Sequence, residues 1–260
     1  MNKATTLYVV DQLFNHGNFT VIDEFVKPDL IQHGPAKADG AEGLRQSIAS
    51  LKTTYPRSRI DIKRVIAEGD RVVLHSNVIL SPGTSGLACV NFARLELGKI
   101  AEFWEVLQMV PESTVSGNDM FTTLSDPPVT WPDPSADTTL SKKIAGLLFT
   151  EAVIGHDLTA FDRYAADPYY DHSAYVANGI AAAKQFFIQA RTRYPESTID
   201  FNQVVAEGDL VAVLYHLRRT PDDPGLAAAD FVRVRSGRAV EFWDVIQEVP
   251  PVSANSNTMF

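Results

Sequence analysis

The sequence predicts an α+β protein built twice over: two tandem domains, each with about three helices followed by a curved antiparallel sheet. Three observations carry this expectation. The segment "EFWEVLQMVPESTVSGNDMF" that starts at Glu102 returns as "EFWDVIQEVPPVSANSNTMF" at Glu241, 139 positions later. The same offset carries His33 onto His172, Tyr55-Pro56 onto Tyr194-Pro195, Ala67–Asp70 onto Ala206–Asp209, and Asn91 onto Asp230. Solenoid repeats run to about 20–50 residues, so a period this long marks two complete domains. Within each half, apolar residues first recur at helical spacing and later alternate as in strands. Between the halves lies "TTLSDPPVTWPDPSADTT", whose four prolines and three aspartates show no periodicity and make a semi-rigid linker. The expected layout is a domain over 1–121, a linker over 122–139 and a domain over 140–260.

The second copy shows the elements most clearly. Leu140, Ile144, Leu147, Leu148 and Ala152 mark a first helix. "GHDLTAFDRYAA" gives a short second one that stops at Pro168, and "PYYDHS" reads as a short strand. "NGIAAAKQFFIQARTRYP" is a third helix with Ile180, Ala183, Phe187 and Ala190 on one face. Strand-like runs follow at Ser197–Ala206, Leu210–Arg219, Leu226–Arg235 and Ala239–Val249, joined by "EGD", "TPDDPG" and "SGR". Helices first and a meander afterwards place the helices on one face of the sheet.

Bulk properties narrow the function. The chain has 260 residues, of which 45% are hydrophobic, enough for two ordinary cores. A net charge of −9 without a basic stripe argues against nucleic acid and against an anionic membrane surface as partners. The single cysteine, Cys89, excludes an internal disulfide and suits a reducing, cytoplasmic setting. No signal-peptide pattern opens the sequence, and no apolar run approaches the ~20 residues that span a bilayer.

The hairpin turns allow side chains to be assigned to faces. With Ser236-Gly237 as a two-residue turn, Asp230 lies opposite Trp243 and Val232 opposite Glu241. With the longer turn centred near Asp223, His216 lies opposite Asp230. Period-two alternation then adds Leu214 and Gln247. The expected patch is His216, Asp230, Glu241, Trp243 and Gln247 amid Leu214 and Val232. Tyr215, Phe231, Phe242 and Ile246 occupy the other face. Ionisable groups on an apolar floor beneath helices are what a small-molecule pocket needs.

The strings "AEGDLVAVLYH", "DFVRVRSGRAVEFWDVIQEVP" and "NTMF" resemble SnoaL-like proteins of the nuclear-transport-factor-two-like superfamily. The resemblance covers nearly all of each half. It implies a cone-shaped α+β barrel whose open end takes a hydrophobic carbonyl compound. In the polyketide cyclases of that family an aspartate of the sheet acts as acid and base on a substrate enol, assisted by a histidine, without metal or cofactor. By position these are Asp230 and His216. The first copy departs from the pattern, with Asn91 in place of Asp230 and Asn77 in place of His216. An amide takes up no proton at neutral pH, so the first domain is expected to be catalytically degenerate unless His75 or Glu102 does the proton work.

Each of these residues has a plainer reading. Asp230 and His216 could form a simple cross-strand ion pair. His33 and His172 either line the mouth of the cone or are inherited structural hydrogen-bonders. Trp104 with Gln108, and Trp243 with Gln247, are either ligand contacts or core packing. His172 beside Asp171 lacks a third ligand at metal-site spacing, so no metal is expected. Three functions stay open: a cofactor-independent cyclase or isomerase, a non-catalytic small-molecule-binding protein, and epoxide-type hydration, which needs several carboxylates around one water. The resemblance also implies pairing through the outer sheet face, so the two copies are expected to form an internal pseudo-dimer, with higher oligomers open.

Overall fold

A computed structural model describes residues 1–260. The chain divides into two compact units, and their boundaries are not those of the repeat. The first unit comprises 1–110 and 249–260, the second 111–248. The segment that follows the first sheet therefore belongs to the second unit, and the C-terminal segment belongs to the first. Residues 122–139, expected as a Pro-rich linker, fall within the second unit.

The first unit runs α1 (Asn2–Phe14), α2 (Thr20–Phe25), β1 (Val26–Gln32), α3 (Gly40–Thr54), β2 (Arg59–Glu68), β3 (Arg71–Ile79), β4 (Leu87–Glu96) and β5 (Lys99–Met109). The second runs α4 (Thr138–Leu147), a π-helical turn (Leu148–Ile154), α5 (Ala160–Tyr164), β6 (Ala165–Asp171), α6 (Ile180–Arg193), β7 (Thr198–Glu207), β8 (Leu210–Arg218), β9 (Leu226–Arg235) and β10 (Arg238–Glu248). These are two α+β domains with sheet orders β1-β5-β4-β3-β2 and β6-β10-β9-β8-β7. Four strands of each sheet form the expected meander. The short strand before the third helix adds to the last one in parallel, so each sheet is mixed. No helix is long and apolar enough to cross a membrane.

Local sequence explains most of these elements. Asp137 caps α4 by accepting from the Leu140 amide. Ser236 and Gly237 have φ of 48° and 73°, as the two-residue hairpin turn between β9 and β10 requires. Each sheet buries one face beneath its helices. In the second unit Val213, Tyr215, Ala228, Val232, Phe242 and Ile246 pack there with Phe149, Phe161 and Tyr169. In the first unit Leu74, Cys89, Leu95 and Ile100 pack with Val10, Leu13, Ile22 and Ile48.

Two details of register decide where the polar side chains go. Ala239 pairs with Val234 but Glu241 pairs with Arg233, so Val240 is an extra residue that bulges out of β10. The first unit repeats this at Ala101. Beyond the bulge Asp244, not Trp243, opposes Asp230. The β8–β9 turn is centred nearer Pro221 than Asp223, because the Asp223 amide closes a tight turn onto the Thr220 carbonyl. Val213 therefore opposes Asp230, and His216 opposes Ala227. A one-residue slip moves every later side chain to the other face.

Candidate active site

These two shifts divide the expected patch in the second unit. Asp230 and Val232 stay on the helix-covered inner face. His216, Leu214, Glu241, Trp243 and Gln247 lie on the outer face, by register with Ala227, Ala229, Arg233, Phe231 and again Ala227. Tyr215, Phe242 and Ile246, expected opposite Asp230, share its face, whereas Phe231 does not. The structure does not bring His216 to Asp230. The His216 ring instead bonds through Nε2 to the Pro224 carbonyl, at 2.8 Å.

Around Asp230 the fold gathers groups that pattern reading did not select. Asp244 opposes it across the β9–β10 ladder, where directly paired Cβ atoms sit ~5 Å apart. Asp171 ends β6 beside Phe242, and Tyr215 and Tyr169 close the cluster. Asp230 is 1% exposed, and neither of its carboxyl oxygens completes a well-aligned hydrogen bond. Burial, then the charges of Asp244 and Asp171, hold its pKa well above the usual carboxylate range, and the Tyr215 phenol offsets part of this. Burial followed by the Asp171 charge pushes Asp244 to about 8. Burial takes Asp171 to about 6, against hydrogen bonds from Ser173. Burial also lifts both phenols well above their usual range. An ionised carboxylate and a neutral carboxylic acid can thus coexist here near pH 7, one able to accept a proton and the other to donate a hydrogen bond.

The same inner face carries a cavity of about 620 Å³, walled by Val153, Phe187, Ile199, Leu217 and Ile246. Its rim holds Arg219, which is paired with Glu248 at 2.8 Å. Ile246 and Leu217 are one pleat step from Asp244 and Tyr215, so the acid cluster lies directly behind the cavity wall, although Asp230 and Asp244 do not line it.

The duplicated histidines and tryptophans have a different placement. His172 and Glu241 are fully buried on the outer side, His172 Nε2 lying 2.8 Å from Glu241 and Nδ1 2.5 Å from the Asp119 carbonyl. Its ring stacks on Trp243, whose indole donates to the Thr122 carbonyl. Glu241 also accepts from the Leu124 amide and from both the amide and hydroxyl of Ser125. Burial alone would raise Glu241, but the bonds from His172, Ser125 and Leu124 prevail and hold it below its ordinary value. His33, Glu102 and Trp104 repeat the arrangement in the first unit, with His33 Nδ1 2.7 Å from the Thr258 carbonyl and its ring stacked on Trp104. These two sets fasten the segments after each sheet and line neither of the inner-face cavities.

The remaining first-unit positions follow the same rule. His75 is buried against Arg64, 2.5 Å away, and opposes Val90 on the outer face. Asn91 faces inward, and Gln108 lies outward opposite Ala88.

A profile of the SnoaL-like domain matches residues 8–103 and again 148–242. The chain belongs to the SnoaL-like domain family. It carries two SnoaL-like domains in tandem. Among solved structures it is similar to IdmH of Streptomyces antibioticus, a candidate polyketide cyclase, at 19% identity over 42% of this chain and 92% of that one, with a TM-score of 0.37. It is similar to TsrD of Streptomyces laurentii at 20% identity over 42% and 91%, with a TM-score of 0.35. A candidate ketosteroid isomerase of Kribbella flavida matches at 20% identity over 45% and 85%, with a TM-score of 0.38. No curated protein matches.

The inner acids were only partly signalled in the SnoaL-like sequence. Asp244 stands in "EFWD", but without the bulge its side chain is assigned to the outer face. Asp171 was read only as a neighbour of His172.

Proposed function

We propose that the second SnoaL-like unit is a cofactor-independent cyclase or isomerase that moves a proton next to the carbonyl of a small, largely apolar compound. The observation that carries this is the convergence of Asp230, Asp244 and Asp171 with two phenols behind the wall of an apolar cavity. Within the cluster of Asp230, Asp244 and Asp171, the ionised carboxylate takes the proton from carbon and a neutral carboxyl donates to the enolate oxygen that develops. A proton shared between two opposed carboxyls titrates as a property of the pair. His216 has no part in this step, because it projects from the other face. The reading includes a cytoplasmic location, which rests on the cysteine content alone.

Proton–deuterium exchange next to the carbonyl of a bicyclic aromatic ketone, followed by NMR in D2O, tests the proposal. Asp230→Asn should slow protein-catalysed exchange by about 10²–10⁴-fold, and the wild-type rate should fall as pH passes about 8, where Asp244 loses its proton. Exchange that is unaffected by Asp230→Asn sinks the reading. A second reading, a non-catalytic small-molecule-binding protein, is favoured by one observation: neither Asp230 nor Asp244 lines the cavity. Saturable binding of the ketone without any exchange would select it. Epoxide-type hydration loses Glu241 to the outer face but gains Asp171 and Asp244. Turnover of an aryl epoxide with no ketone exchange would favour it.

A further inference from the structure

The first unit has a cavity of its own, about 330 Å³, and its chemistry differs from that of the second. Asn91 stands where the second unit has Asp230, Gln32 where it has Asp171, and Glu105 where it has Asp244. Two acids are replaced by amides, Asn91 of the same shape as Asp230 and Gln32 one methylene longer than Asp171. The third keeps its carboxyl but gains a counterion, since Lys37 takes the place of Val176 and its Nζ lies 2.7 Å from Glu105 Oε2. The Lys37 and Glu105 side chains are 9% and 12% exposed. Lys37, Asn91 and Glu105 all line this cavity, with Ile48, Leu51 and Leu107 as its apolar wall. Behind them Gln32 is fully buried with neither amide atom paired.

A relic would not be expected to look like this. Burying an ion pair costs desolvation that apolar residues of similar volume avoid, and unpaired buried amides cost more. Here Lys37, Asn91 and Glu105 sit on the wall of an open cavity, where a ligand can use them. We infer that the first unit holds a non-catalytic binding site for a neutral, largely apolar carbonyl compound, whose oxygen accepts a hydrogen bond from the Lys37 ammonium. The ammonium has three donors, and Glu105 takes one. Glu105 neutralises it, which disfavours an anionic ligand and leaves a polar neutral oxygen as the fitting acceptor. Asn91 cannot exchange a proton with the ligand, and the carboxylate on the wall, Glu105, is held by Lys37, so the site recognises without turning over.

Methyl NMR of the intact chain reads both cavities separately, since Ile48, Leu51 and Leu107 report on the first and Ile199, Leu217 and Ile246 on the second. The probes are 2-acetylnaphthalene and 2-ethylnaphthalene, which differ in the carbonyl. The ketone should shift the first-cavity methyls saturably and bind there about tenfold more tightly than the hydrocarbon. Lys37→Met alone would strand a buried Glu105, so the double variant Lys37→Met/Glu105→Met, which adds no donor, is the partner experiment. It should bind both probes equally. No saturable shift at Ile48, Leu51 and Leu107, equal affinities in the wild type, or a preference unchanged in the double variant would each overturn the inference. These outcomes are independent of deuterium exchange in the second unit.

Discussion

Asp230 and Asp244 face each other across two antiparallel strands, with Asp171 near enough to raise the pKa of both. Apolar walls remove the water that would stabilise their charges, so the native state keeps protons that the unfolded chain releases. The sign follows directly. An aspartate with an ordinary pKa of ~3.9 unfolded and about 8 folded binds more protons in the native state between those values, so stability falls as pH rises through that window. Asp244→Asn should raise the melting temperature at pH 8 by several degrees and flatten the decline from pH 5 to pH 8 in thermal melts. Parallel curves for variant and wild type would contradict the assigned pKa. Glu241 acts in the opposite sense: its folded pKa is depressed, so its contribution is present above the unfolded value and is lost in acid. Glu241→Gln should cost about 1–3 kcal/mol in urea denaturation at pH 7, through its bonds to His172, Leu124 and Ser125 rather than through any ligand.

The bulge at Val240 matters most among the elements. The hairpin sequence "RSGR" specifies the turn, and the first two pairs behind it follow the simple count. One extra residue then changes which side chains look inward, bringing Asp244 in and sending Glu241 and Trp243 out. The bulge was not legible, because nothing in "GRAVEFW" marks one residue as unpaired. His216 was misplaced for a similar reason, as "TPDDPG" announces a turn without saying which residues lie at its apex. Deleting Val240 should remove the bulge and leave a regular ladder in which Glu241 follows Ala239 and Asp244 still opposes Asp230. Hydrogen-exchange protection in β9 and β10 should survive in the deletion variant, and its collapse would refute this account of the register.

At the scale of the whole molecule, the repeated "EFW…NTMF" segments are explained by what they fasten. Each of these segments leaves its own sheet and belongs to the other compact unit: 111–121 to the second and 249–260 to the first. The His–Glu–Trp set of each unit receives the incoming segment, at Asp119 in one and Thr258 in the other. Cutting the chain after Ser125 would strip each unit of a segment that its buried histidine holds. The fragments 1–125 and 126–260 should therefore each show reduced cooperativity by circular dichroism and regain it when mixed in equal amounts. Two stable, independent monomers on a sizing column would show that the exchanged segments contribute little.

The sequence by itself determined the duplication, the α+β class and the order of nearly every helix and strand. Those features follow from local periodicity, turn chemistry and a constant offset, all of which are written along the chain. Tertiary structure alone decided which acids accompany Asp230, that His216 lies elsewhere, and that the terminal segments change units. Those outcomes depend on a bulge, a turn apex and a chain crossover, each set by how whole faces bury themselves rather than by the residues at the spot.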